Sequence, residues 1–290
     1  MSLRHIATAL PVLAALASPA HAQAPAPLPA SPPASSPASS AASVPLAAHR
    51  AVYRLTMDTS RGSTARAASG TMLYEVSDVC DAWATRQRLA MTVTNSDGQD
   101  IDMVSDYATL ESKDGVSMSF RMRQTTETAV TEQVEGNARL DSPGGPGVIK
   151  YTGAEPREVD IPAGTSFPMS HTVAILQGAA EGKRFLSLPL FDGTSDKGPQ
   201  DSSVAIAGWN RGGDANAAYP ALRGLAHGRV RIAFFEREKP DSKDKVLGSP
   251  DYEVGMKYYA NGVADDLQMD FTDFVMNGKL TEFTILEPRC

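Results

Sequence analysis

The chain has 290 residues, with 27 Lys and Arg against 34 Asp and Glu and a formal charge of −7. Mild acidity of this kind argues against nucleic acid as the main partner. Two cysteines and five histidines leave little from which to build a zinc site.

Residues 1–22 read as an export leader. Arg4 supplies the positive start, Ile6 to Ala17 form a short apolar run, and Ala20-His21-Ala22 gives the small-x-small cleavage pattern. The run is too short to span a bilayer, and no cysteine stands at the cleavage point to take a lipid. The mature protein is therefore expected to be exported and free, not integral to the membrane. Residues 23–48 are mostly Ala, Pro and Ser with no charge. Such a segment has too little apolar surface to offset its ordering entropy, which predicts a disordered linker. Residues 49–290 are long enough for one sizeable core and are expected as a single domain.

Strand signals dominate that domain. Met72, Tyr74 and Val76 alternate with polar neighbours, as do Leu89, Met91 and Val93, then Val116, Met118, Phe120 and Met122. Further on, Val230, Ile232 and Phe234 alternate, then Tyr252, Val254, Met256 and Tyr258, then Leu267, Met269 and Phe271. A period of two with one apolar face marks antiparallel sheet. Asn261-Gly262 and Asn277-Gly278 are strong hairpin signals, Asp97-Gly98 and Asp114-Gly115 weaker ones. The stretch 141–147 is expected as a loop between outer strands, and 192–202 and 210–220 as long loops.

One helix interrupts the strands. Pro168 suits a first turn, Ser166 is placed to cap it, and Met169, Val173, Leu176 and Ala180 share a face. Val173 to Leu176 make the middle apolar nearly all round, which predicts a helix in contact with protein on several sides. Gly182, followed by Lys183 and Arg184, marks its end. Gly178 counts against it. His171, in its first turn, is read as structural, with ligand binding the alternative.

Cys80 and Cys290 in an oxidising compartment are expected to pair, closing a loop of 210 residues. Dimerisation through Cys290 and a free thiol are the alternatives. No nucleophile elbow, zinc-protease, phosphate-loop or dinucleotide spacing occurs. Asp97, Asp100, Asp102 and Asp106 form one acidic group and Asp265, Asp266, Asp270 and Asp273 another. Both are read as solvated faces, ahead of a calcium site or a glycosidase pair. Trp83, Trp209, Tyr258 and Tyr259 are expected to pack in the core, ahead of lining a ligand groove.

Taken together, Phe167-Pro168 with His171-Thr172, Phe191-Asp192-Gly193 and Tyr252-Glu253-Val254 form a familiar order. It continues through Tyr259-Ala260-Asn261-Gly262-Val263, Leu267 and Asp273-Phe274. On these motifs the chain resembles, over residues 49–290, the EipB family of cell envelope integrity proteins of alphaproteobacteria. The positions of Cys80 and Cys290 are also similar to the family's disulfide pair. The resemblance implies a highly curved antiparallel sheet, a β-spiral or incomplete barrel, around a central helix at about 167–182. It also implies a role in envelope integrity, with no catalytic residue, metal or cofactor. His171, Asp192 and Tyr259 are the candidate binding positions.

Three functional readings follow. The first is a non-catalytic periplasmic protein that binds an envelope protein or a peptidoglycan-associated component. The second is a carrier that encloses a lipid or acyl chain in its curved sheet, for which a cavity lined by Met and aromatic residues is the mark. The third is a hydrolase built from loop carboxylates, which requires two of them facing across a cleft.

Overall fold

The computed structural model describes residues 44–62, 65–153, 155–237, 249–271 and 273–290. The expected leader and the linker up to residue 43 lie outside them. The alternating segments form fourteen strands. They are β1 (His49–Ser60), β2 (Ala65–Asp78), β3 (Ala82–Asn95), β4 (Asp100–Ser112), β5 (Ser117–Thr126), β6 (Ala129–Leu140) and β7 (Gly147–Tyr151). β8 (Arg157–Ile161), β9 (Phe185–Ser187), β10 (Gln200–Asn210), β11 (His227–Glu236), β12 (Tyr252–Tyr259), β13 (Ala264–Asp270) and β14 (Phe274–Ile285) complete the set. The helix α1 is Pro168–Ala180.

All fourteen strands belong to one sheet, in the order β8-β7-β6-β5-β4-β3-β2-β1-β14-β13-β12-β11-β10-β9. Most neighbours are consecutive in the chain and antiparallel, as the hairpin signals predict. Two features depart from a simple hairpin order. β1 lies between β2 and β14, so the first and last strands meet inside the sheet. β8 and β9 stand at opposite edges although only α1 separates them in the chain. A short parallel bridge between Ser166 and Leu190 links the segments beyond those edges. The sheet is curved but does not close into a barrel.

Alternation decides which face turns inward. In β1, Ala51, Tyr53 and Leu55 are buried while Arg50, Arg54 and Thr56 are exposed. The inner face of β1, β2 and β10–β14 packs against Ile175, Leu176 and Ala179 of α1. A second cluster, with Met118, Phe120, Ile149, Tyr151, Phe167 and Phe191, fills the space under β5–β8. Each large apolar side chain removed from water this way contributes about 1.5–3 kcal/mol. Val44 and Leu46 also pack on the core, and the Ala47 N–H donates to the Asn261 carbonyl at 2.9 Å.

Several expectations need correction. Ser166 does not cap the helix: Phe167 is the N-cap residue and no side chain of α1's own entry segment bonds there. Glu111 at the end of β4 does so instead. Its carboxylate accepts from the Met169 N–H (2.7 Å), the Ser170 N–H (2.9 Å) and the Ser170 hydroxyl (2.7 Å). The buried face of α1 is also rotated from the expected one, because Ala180 is exposed and Val173 half-buried while Ile175 and Ala179 are covered. Gly178 earns its place by contact, since a Cβ there would stand 2.8 Å from Leu186 Cδ1. Asn277-Gly278 is not a turn. It lies within β14, paired with Thr56 and Leu55 on one side and with Gln268 and Leu267 on the other. Glycine is needed there because a Cβ would come within 3.0 Å of both Leu267 and Leu55 side chains. The loop expected over 192–202 ends earlier, with β10 beginning at Gln200.

Cys80 and Cys290 are joined, with Cα atoms 5.4 Å apart, so the pairing expectation holds over dimerisation and a free thiol. The Arg289 N–H donates to the Asp78 carbonyl at 2.8 Å beside the bridge. Replacing either cysteine with Ser removes a constraint on a 210-residue loop. The expected loss is about 3 kcal/mol, or roughly 10 °C in Tm, and reduction of the native protein should produce the same shift. Equal melting of oxidised and reduced protein would contradict that structural role. Glu111→Ala leaves the buried Met169 N–H and the half-buried Ser170 N–H without their acceptor and should cost about 3 kcal/mol in urea denaturation.

Candidate functional site

The inner face of the sheet carries a cavity of about 380 Å³. Its wall is contributed by β1–β3 and β11–β13 and is mostly apolar, with Met72, Leu89, Ile232, Phe234, Val254, Met256 and Met269. Volume and lining both fall within the range of small-molecule sites. The polar groups on the wall include Tyr53, Tyr74, Tyr252 and Tyr258, and burial pushes all four phenols above their ordinary range, which keeps them neutral. The Tyr53 hydroxyl donates to the Ala264 carbonyl at 2.8 Å, and Tyr258 shares a hydrogen bond with Thr172 of α1 at 3.0 Å.

His49 stands on the same wall. Its Nδ1 lies 2.7 Å from the Ala47 carbonyl and must carry the proton of that bond. Burial lowers its pKa, which favours neutral imidazole. Nε2 is then an acceptor, and it makes no hydrogen bond among the described residues.

His171 is buried, and its Nε2 lies 2.9 Å from the Ser202 hydroxyl oxygen. That hydroxyl donates to the Leu188 carbonyl at 2.6 Å, so the imidazole is the donor to Ser202. The contact ties α1 to β10, and burial lowers the His171 pKa to about 4. Asp192 accepts from the Thr194 N–H (3.0 Å), the Thr194 hydroxyl (2.8 Å) and the Gln200 amide (2.9 Å). Its backbone carbonyl accepts from Tyr107, and burial raises its carboxyl pKa. Tyr259 is 1% exposed and donates to Asp214 at 2.8 Å. Asp214 is also bonded by Lys257, which together with Tyr259 holds its pKa down at about 2 against the opposing effect of burial. These three residues have separate partners, Ser202 for His171, Thr194 and Gln200 for Asp192, and Asp214 for Tyr259, and none of the three lines the cavity.

Sequence reasoning did not mark the cavity residues as a site. Their pattern is that of any inward strand face, and Tyr258, expected as packing, both packs and lines the cavity. The second acidic group is not a solvated face throughout. Asp265 and Asp270 are buried: Asp265 accepts from the Leu280 N–H at 3.1 Å, and Asp270 holds both Nη atoms of Arg61 at 2.8 Å. In the first group Asp100, Asp102 and Asp106 are exposed as expected. Among the described residues no set of three or more His, Cys, Asp and Glu converges as a metal cage would require.

The family model described as EipB-like matches residues 40–287. The chain belongs to that family. It is 28% identical over 252 residues to the cell envelope integrity protein EipB of Brucella abortus (strain 2308), covering 83% of this chain and 85% of that protein. It is also similar to the crystal structure of a β-barrel-like protein of a domain of unknown function from Brucella abortus. That match has a TM-score of 0.74 and 27% identity, covering 84% of this chain and all of the other. The fold is thus shared with that β-barrel-like protein. No helix among the described residues is long and apolar enough to cross a membrane.

The His171 contact has a pH signature. An imidazole kept neutral by burial binds its proton more readily in the unfolded chain, so stability falls as pH drops from about 6.5 toward 4. The loss should approach about 3 kcal/mol at the lower end. His171→Gln removes that titration and keeps an N–H for Ser202. Its stability relative to the parent should therefore rise between pH 6.5 and 4, measured as urea midpoints.

Proposed function

We propose that this chain is an exported, non-catalytic envelope protein that supports envelope integrity by holding an apolar or acyl-chain ligand in its inner cavity. The observation that carries the reading is the cavity of about 380 Å³ walled by Met, Tyr and aliphatic side chains. A fully packed interior would have spoken for an interaction module; an open apolar chamber speaks for a carrier. The family's naming after envelope integrity fits a protein that works in the periplasm. His171, Asp192 and Tyr259 enter this reading as residues that hold the wall in shape, because their polar atoms are engaged by Ser202, by Thr194 and Gln200, and by Asp214.

A second reading keeps the binding of an envelope protein or a peptidoglycan-associated component. It is favoured by the exposed outer face of the sheet, where Arg50 of β1, Arg86 and Arg88 of β3, and Arg121 and Arg123 of β5 face solvent.

The carrier reading is tested by titrating the purified protein with the uncharged fluorophore N-phenyl-1-naphthylamine, and by mass spectrometry of an organic extract of freshly isolated protein. Saturable binding is expected, weakened at least about ten-fold by Leu89→Trp, which puts an indole ring into the chamber. A folded protein that neither takes up the fluorophore nor carries lipid would end the carrier reading and leave the interaction module.

A further inference from the structure

The outer face of β3–β5, which points away from α1, carries a shallow depression of about 430 Å³. Its floor is Ala108, and Arg86, Arg88, Arg121 and Arg123 stand around it. The register explains the geometry. Ala108 of β4 lies between Arg86 of β3 and Arg121 of β5, while Asp106 lies between Arg88 and Arg123. Strands two apart are separated by about 10 Å, so the guanidinium groups form two walls along a strand floored by a small side chain.

Carboxylates near this trough are outnumbered and already taken. Asp106 faces both Arg88 and Arg123, yet Arg88 Nη1 occupies both of its oxygens at 2.5 and 2.6 Å. Glu75 faces Arg86 in the register but is bonded by Arg50 at 3.3 Å and Arg289 at 3.8 Å. Glu135 reaches Arg121 only at 3.8 Å. Arg86 and Arg123 therefore have no ion pair among the described residues, and both are exposed. Leu110, the next outward residue of β4, is 48% exposed and extends the floor as an apolar step.

This concentration of positive charge occurs on a chain whose overall charge is −7. A random approach to an anionic surface would be repelled, whereas an approach with this face forward meets unpaired guanidinium groups. Guanidinium forks match phosphate oxygens in pairs, and flanking apolar side chains suit the headgroup boundary. We propose that the Arg86/Arg88/Arg121/Arg123 face docks the protein on the headgroup phosphates of an anionic phospholipid bilayer. The proposal does not depend on what the inner cavity binds.

The test is co-sedimentation at low ionic strength with vesicles of phosphatidylglycerol and phosphatidylcholine, beside vesicles of phosphatidylcholine alone, for the full chain and for R86Q/R123Q. At about 1 kcal/mol for each basic residue near an anionic surface, removing two should weaken binding about thirty-fold. Binding of the parent should fall with added salt and be absent on phosphatidylcholine. The double variant should melt like the parent and take up the naphthylamine fluorophore unchanged, since both side chains are solvent-facing. Three results would each overturn the proposal: no binding of the parent to anionic vesicles, equal binding by R86Q/R123Q, or displacement by low millimolar inorganic phosphate at constant ionic strength. The last result would indicate a compact site for free phosphate in place of a membrane surface.

Discussion

The arrangement depends on one connection. A flat sheet of fourteen strands would be about 60 Å wide at roughly 4.8 Å per strand. Its two edges, β8 and β9, are joined only by the segment between Ile161 and Phe185, which contains α1. Thirteen helical residues supply about 20 Å, and the flanking residues could barely span the remainder if drawn straight. The sheet must therefore curl, and the curl brings the helix onto its inner face. Glu111 fixes where that happens, because β4 offers its carboxylate to the N–H groups at the start of α1. A buried carboxylate is tolerable there because the helix end supplies both donors and favourable dipole charge.

The same curl accounts for the two surfaces with functional interest. Inward side chains from strands on both sides of β1 converge, and where they do not meet they leave the apolar chamber. Outward side chains diverge, so long arginines can splay apart over a small residue such as Ala108. Alternation along each strand keeps the two chemistries separate: a one-residue slip of β4 would turn Glu111 to solvent and Leu110 into the helix entrance.

Much of this was legible in the residues. The apolar period of two located most of the strands, and Pro168 with Gly182 bracketed the helix to within a few positions. Gly182 indeed adopts φ of +82° just beyond the end of α1. Local rules failed where distant partners decide. Asn277-Gly278 has strong turn chemistry, but pairing on both sides with Leu55 and Leu267 overrides it. Ser166 looked like a cap because the real one lies 58 residues away from Met169. One clue was available: Leu110 and Glu111 invert the polarity of β4, apolar outward and acidic inward. Such an inversion at a strand end indicates a buried partner for the carboxylate. The chamber left no trace in the sequence, because a strand face that lines a void has the same pattern as one that fills a core.

The meeting of β1 with β14 has a consequence for how the molecule comes into being. His49 faces Ile285, and Leu55 faces Gly278, across nearly the whole length of the chain. Contacts of such separation form late, because an intervening loop of that size must first be ordered. Until β14 is in place, β1 is paired on one edge alone, with β2. Only when β14 docks can the seam zip shut and Cys290 reach Cys80, so closing the sheet and forming the bridge belong to one late step.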